Sequence, residues 1–262
     1  MQNDSVKELN RPAGVSRSLT GVELVCCVVG VGLILVGLAH FLALAAYPRP
    51  WLGPLSWRKP ITFGVSFGVV LLSITWVTSY LTMSPRRRST LLAIFAADCV
   101  VEVTGVTLQA WRHVPSHFNT ATVADRVVAF SLAVGGAVLI ATLGAFAVAS
   151  LRSEVNASAS MQRAIRSGFL LLMAGLAAGI AMIVRGEQLI HSGHLTLAYN
   201  TAGFLKAFHG IALHAILMIP GVAWLLERSQ LSPSRRLSVI NVVIAAYLIA
   251  AAVSLVICLS RV

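Results

Sequence analysis

Charge is what this chain has least of. Only 11% of its 262 residues are charged and only nine are acidic, against 20 Lys and Arg, while 57% are hydrophobic. A soluble domain carries about 25% charged and about 45–50% apolar residues, so the chain lacks the polar surface a water-soluble globule needs. The mean hydropathy of +0.84 agrees. Cysteine is also sparse. Cys26, Cys27, Cys99 and Cys258 form no C-x-x-C pair and no zinc spacing, and inside apolar runs they read as small packing residues. The net charge of +11 would point to nucleic acid in a soluble chain. Here the cations fill short gaps between long apolar runs, the pattern of a polytopic membrane protein. Composition therefore excludes a soluble enzyme, a nucleic-acid partner and a disordered tail.

Long apolar runs are what the chain does have. A spanning helix needs about 20 mostly apolar residues, and seven segments qualify: 21–47, 61–83, 89–111, 127–151, 167–184, 201–226 and 237–260. Membrane β-strands alternate in character over about ten residues, whereas these runs are continuous. The expected fold is all-α: a short polar stretch at 1–20, then one seven-helix transmembrane domain over 21–262. Ala43-Leu44-Ala45 has the small residues of a signal-cleavage site, but the run from Leu24 to Tyr47 exceeds the roughly 7–15 residues of a signal core, so the segment is read as retained. Gly64/Gly68 and Gly175/Gly179 are small-xxx-small faces that permit close helix approach. Pro220 is expected to kink the sixth span below His214.

Orientation follows the distribution of Lys and Arg. Twelve of the 20 fall on the side of the N-terminus, including the run Arg86-Arg87-Arg88, and eight on the other. This places the N-terminus in the cytoplasm and the C-terminus outside, in a bacterial-type inner membrane. The loops assigned to the cytoplasm read as plain solvated turns facing anionic lipid. The outer loops are richer: Trp57-Arg58-Lys59-Pro60, then Trp111-Arg112-His113 through His117 and Asn119, then Arg185-Gly186-Glu187-Gln188 to His191 and His194.

Ionisable groups within a span are costly and point to function. Asp98 and Glu102, at i,i+4, share one face of the third span, and Gln109 extends that stripe outward. The sixth span carries Lys206, His209 and His214. At about 100° per residue, the two histidines lie ~140° apart and about 7.5 Å along the axis, so both can border one interior cavity. His40, near the outer end of the first span, is the natural third contributor. In one reading His40, His209 and His214 ligate a divalent metal or bind haem, with Glu102 and Asp98 as the proton-handling carboxyls of a redox or lipid-directed reaction. In a second, Asp98 and Glu102 are the coupling groups of a small proton- or ion-driven transporter or channel. In a third, the chain is a non-catalytic subunit or assembly factor in a homo-oligomer or membrane complex. The outer residues Arg58, Lys59, Arg112, His117, Asn119, Arg185 and Lys206 suit an anionic small molecule or lipid head group. Pro115 ends the third helix near Arg112, and Thr122 is expected to cap the fourth.

Overall fold

The structure, a computed structural model, describes residues 19–46, 50, 51, 53 and 55–261. Most of the expected N-terminal stretch lies outside these, as do Tyr47, Pro48 and Arg49. Eight α-helices follow in order: α1 (Gly21–Ala46), α2 (Arg58–Val77), α3 (Pro85–Trp111), α4 (Val123–Arg152), α5 (Ala159–His191), the short α6 (Leu195–Thr201), α7 (Lys206–Glu227) and α8 (Pro233–Leu259). A single 3-10 turn, Thr78–Tyr80, extends α2. All but α6 are long and apolar enough to cross a membrane, the layout of a multi-pass membrane protein. Among the described residues the extended structure is one isolated bridge, Leu81 to Val155.

The helix starts are written in the sequence. Ser84, Thr122, Ser158 and Ser232 each accept a hydrogen bond from the backbone N–H three residues on, the usual N-cap arrangement. Pro85 and Pro233 follow their caps, where the missing N–H costs nothing. At α1 a capping box forms: Glu23 N–H donates to Thr20 Oγ1 at 3.3 Å, and Thr20 N–H donates back to Glu23 Oε2 at 2.7 Å.

Hydropathy misplaces the bounds of two spans. The fifth span is not the short 167–184 segment but a 33-residue helix, Ala159–His191. Arg185, Glu187 and Gln188 are good helix formers, so the helix continues after the apolar run stops. Conversely, residues 202–205 do not belong to the sixth long helix, which starts only at Lys206. Pro220 lies within that helix without ending it.

Two crossings at small residues set the interior. Gly30 and Gly37 of α1 meet Gly68 and Gly64 of α2 so closely that a Cβ on Gly64 would lie 2.8 Å from the Gly37 Cα. In α5, Gly168 and Gly175 approach the α7 backbone at Ile216 and Leu213, where an added Cβ would lie 3.1 Å away. Such close approach replaces the hydrophobic drive that lipid removes. The apolar core runs between these crossings, around Leu71, Ile74, Phe95, Phe146, Phe169 and Ile216.

One end of the bundle, here the arginine end, gathers the starts of α1, α3, α5 and α8. Its loops are not plain turns. Thr82 N–H donates to the Glu154 carbonyl and Asn156 N–H to the Tyr80 carbonyl, zipping two connections together. Arg88, expected in a solvated turn, is 7% exposed. Its Nη1 donates to Glu23 at 2.6 Å, its Nη2 to the Thr75 carbonyl at 2.8 Å and its Nε to the Thr78 hydroxyl at 3.2 Å. This guanidinium joins α1, the α2 terminus and α3. Removing one partner of a buried ion pair costs about 3–5 kcal/mol, because the other charge is left stranded. Arg88→Met and Glu23→Gln should each lower the unfolding midpoint in detergent accordingly, and the double variant Glu23→Leu/Arg88→Met should recover most of the loss. Additive losses in the double variant would show that the two side chains are not coupled.

Candidate functional site

The histidines expected to share one pocket face different neighbours. His40 is buried in an aromatic corner with Trp57 and Trp111, ring centroids 6.2 and 6.1 Å away. Its Nε2 accepts from Trp111 Nε1 at 3.0 Å, so the proton sits on Nδ1, which donates to the Val36 carbonyl at 2.7 Å. His209 donates from Nδ1 to the Gly175 carbonyl on α5 at 2.7 Å, and its ring lies against Gly179. The small-residue face of α5 thus admits an imidazole as well as a helix. His214 bonds the Gly210 carbonyl of its own helix at 2.9 Å. Each ring thus places its Nδ1 against a backbone carbonyl, of its own helix for His40 and His214 and of the facing helix for His209. No three His, Cys, Asp or Glu side chains among the described residues are grouped to hold a metal ion. The described residues thus do not bring His40, His209 and His214 together as one three-histidine ligand set.

Asp98 and Glu102 do stay together. Both are buried, at 6% and 4% exposure, and both meet α4 at Gly135. A Cβ on that glycine would lie 2.5 Å from Glu102 Oε1 and 2.9 Å from Asp98 Oδ1. Lys206, the lysine of the sixth span, forms no salt bridge with either carboxyl. Gln109 does not extend their stripe as a free group. Its amide donates to Asp125 at 3.0 Å on the next helix.

At the opposite or lysine end, the segment from Arg112 to Thr122 is tightly folded. Helix α3 ends at Trp111 and Thr122 caps α4, as Pro115 and the threonine imply. His113 and Phe118 sit at φ +57° and +63°, a region costly for side chains other than glycine. What holds Phe118 there is a seat on α5: its ring packs directly on Gly186, where any Cβ would collide with it. Two expected rim residues are diverted by this fold. Arg112 donates to Asp125 at 2.7 Å and to Gln109 at 2.6 Å, so its charge is already matched. Asn119 is buried and forms a turn, its Oδ1 accepting from Ala121 N–H at 3.1 Å.

A second group of cations lies at this end, at the starts of α2 and α7. Lys59, at the start of α2, donates to Ser116 Oγ at 3.3 Å, and Ser116 in turn bonds His117 Nδ1 at 2.9 Å. Lys59 and Lys206 both act on the His117 ring, and Lys59, Lys206 and Arg58 act on one another. Two of the chain's three lysines thus lie within electrostatic reach of one imidazole. Arg185 lies over Phe204, two residues before Lys206, its guanidinium 4.7 Å from the ring centre. No carboxylate forms a salt bridge with Arg58, Lys206 or Arg185 among the described residues. The Arg58 Nε is enclosed and has no hydrogen-bond partner.

Burial first, and the lysine cations second, hold the His117 imidazole down to about 4. In the unfolded chain the ring titrates near its ordinary 6.5. Between these values the unfolded state binds the extra proton, so this histidine should make the fold less stable as pH falls from 6.5 toward 4. His117→Asn should flatten that part of the stability–pH curve, and an unaltered curve would contradict the placement. Gly186→Val should unseat Phe118 and speed amide exchange across 113–119, read by hydrogen–deuterium exchange. Unchanged exchange would mean that the glycine seat does not hold the loop.

No family model, no curated protein and no solved structure matches this chain.

Proposed function

We propose that this protein captures an anion at its lysine end, which faces the exterior: a small molecule or lipid head group bearing phosphate or carboxylate. One observation carries the reading. Arg58, Lys59 and Lys206 are gathered at the first turns of two helices, around His117.

A helix N-terminus is the positive end of the macrodipole and favours acidic side chains. Yet α2 opens on Arg58-Lys59 and α7 on Lys206, with no acidic residue in either first turn. Cations within electrostatic reach of one another at positive helix ends oppose local stability, and such departures concentrate where a ligand restores the balance. A phosphate or carboxylate there would offset the repulsion, take charge-assisted hydrogen bonds and meet the positive helix ends. Arg58 adds the planar fork suited to oxyanions. The side bearing fewer Lys and Arg is the exterior by the positive-inside rule, and this cluster lies on it. The reading concerns binding, and it draws on neither a metal nor a haem.

Inorganic phosphate titrated calorimetrically into protein in neutral phosphatidylcholine nanodiscs tests for a free anion. Native mass spectrometry from phosphatidylglycerol nanodiscs tests for a head group. Losing one charge-assisted bond costs about 1.5–3 kcal/mol, so Lys59→Gln and Lys206→Gln should each weaken binding by roughly tenfold or more. Bound anion should also raise the His117 titration above about 4, because it screens the two lysines. Absence of both ligands from wild-type protein, or binding indifferent to both substitutions, would defeat the reading.

A further inference from the structure

The carboxyl pair lies on α3, which leads into the loop carrying His117, but it is buried inside the bundle, and it does different work. We propose that Asp98 and Glu102 form a proton-binding site, in which the two carboxyl groups hold one exchangeable proton against Gly135 of α4.

Three features carry this. The carboxyls lie one helical turn apart and reach the same point on α4, where glycine leaves room for both oxygens. Their side chains are buried without a cation: no salt bridge reaches either. The Asp98 Oδ2 is fully enclosed and has no hydrogen-bond partner, an unmet acceptor on a residue only 6% exposed. An unpaired charge in such a place costs several kcal/mol, and two that face each other cost more. One proton answers both problems, since it removes a charge and supplies an O–H donor to the other carboxyl.

The surroundings favour a proton over a metal cation. Calcium and similar hard ions take about six to eight oxygens, and α4 brings none from a side chain at this level, where Val134, Gly135 and Gly136 follow one another. The Cys99 thiol of α3 lies within electrostatic reach of both carboxyls and of Cys26 on α1. Neither α2 between Pro60 and Val77 nor α4 between Val127 and Leu151 contributes a charged side chain or a histidine. The inference does not depend on anion capture at the lysine end.

Dicyclohexylcarbodiimide reads such a site. The O–H of a protonated carboxyl adds across one C=N bond to give an O-acylisourea, which rearranges to a stable N-acylurea. Nothing leaves, so the peptide gains the mass of one reagent. Wild-type protein in nanodiscs, labelled over a pH series and mapped by mass spectrometry, should show a single adduct on Asp98 or Glu102. That adduct should fade as pH rises and be unaffected by sodium or calcium. Asp98→Asn and Glu102→Gln should each diminish it. No adduct on either residue in folded wild-type protein, an adduct insensitive to pH, or protection by sodium or calcium would each overturn the proposal. The pH and cation series use wild-type protein, so a variant that fails to fold does not remove the test. A failed phosphate titration would leave this result standing, and the reverse holds equally.

Discussion

A bilayer supplies no hydrogen bonds, so each polar group buried in this bundle must find its partner within the protein. Arg88 meets that constraint most fully. All three of its guanidinium nitrogens are engaged, by a carboxylate of α1, a carbonyl of α2 and a hydroxyl of the 3-10 turn. At the other end of α3, Asp125 of α4 does the complementary work, accepting from Gln109, Arg112 and Thr122. Trp111, the last residue of α3, donates to His40 of α1. Helix α3 is therefore tied to its neighbours at both ends. Between the ties lie Asp98 and Glu102, which are enclosed without such a partner.

The seven spans and several of their starts were legible in the sequence, because apolar runs, Ser/Thr caps and early prolines are local signals. Helix length was less so. Hydropathy reports where lipid contact ends, and α5 continues to His191 as an ordinary helix of charged and polar residues. Arg88 was hidden by its neighbours: of three consecutive arginines, the helical turn aims only one inward. Glu23 was hidden by position, since a carboxylate in the first turn of a helix already has a capping role. The histidine trio misled for a different reason. Sequence shows that an imidazole lies in a span, but not that a glycine carbonyl four residues back or on the facing helix satisfies it.

At the lysine end the pattern of residues was informative and their division was not. Arg58, Lys59, His117 and Lys206 lie far apart in the chain yet converge, while Arg112 is taken by Asp125, and Asn119 by its own turn. The difference depends on a loop held in left-handed backbone at two residues, each costing about 1–3 kcal/mol. That conformation requires Phe118 to rest on Gly186, a contact between segments that no local pattern announces. The site's geometry thus rests on a ring and a glycine that carry no charge.

Helix α8 stands apart from all of this. It is the most apolar span, with hydropathy 2.8, and only 17% of its apolar 18-residue stretch is buried in the protein. Its polar ties are few and spaced out: Tyr247 donates to the Ile211 carbonyl, and Asn241 accepts from Arg163. Such a segment is stable in lipid before it touches the others, so insertion and docking are separate events for it. During synthesis the earlier helices can settle around Arg88 and the glycine crossings without it. The eighth helix can then join a bundle already formed, as a lateral addition to it.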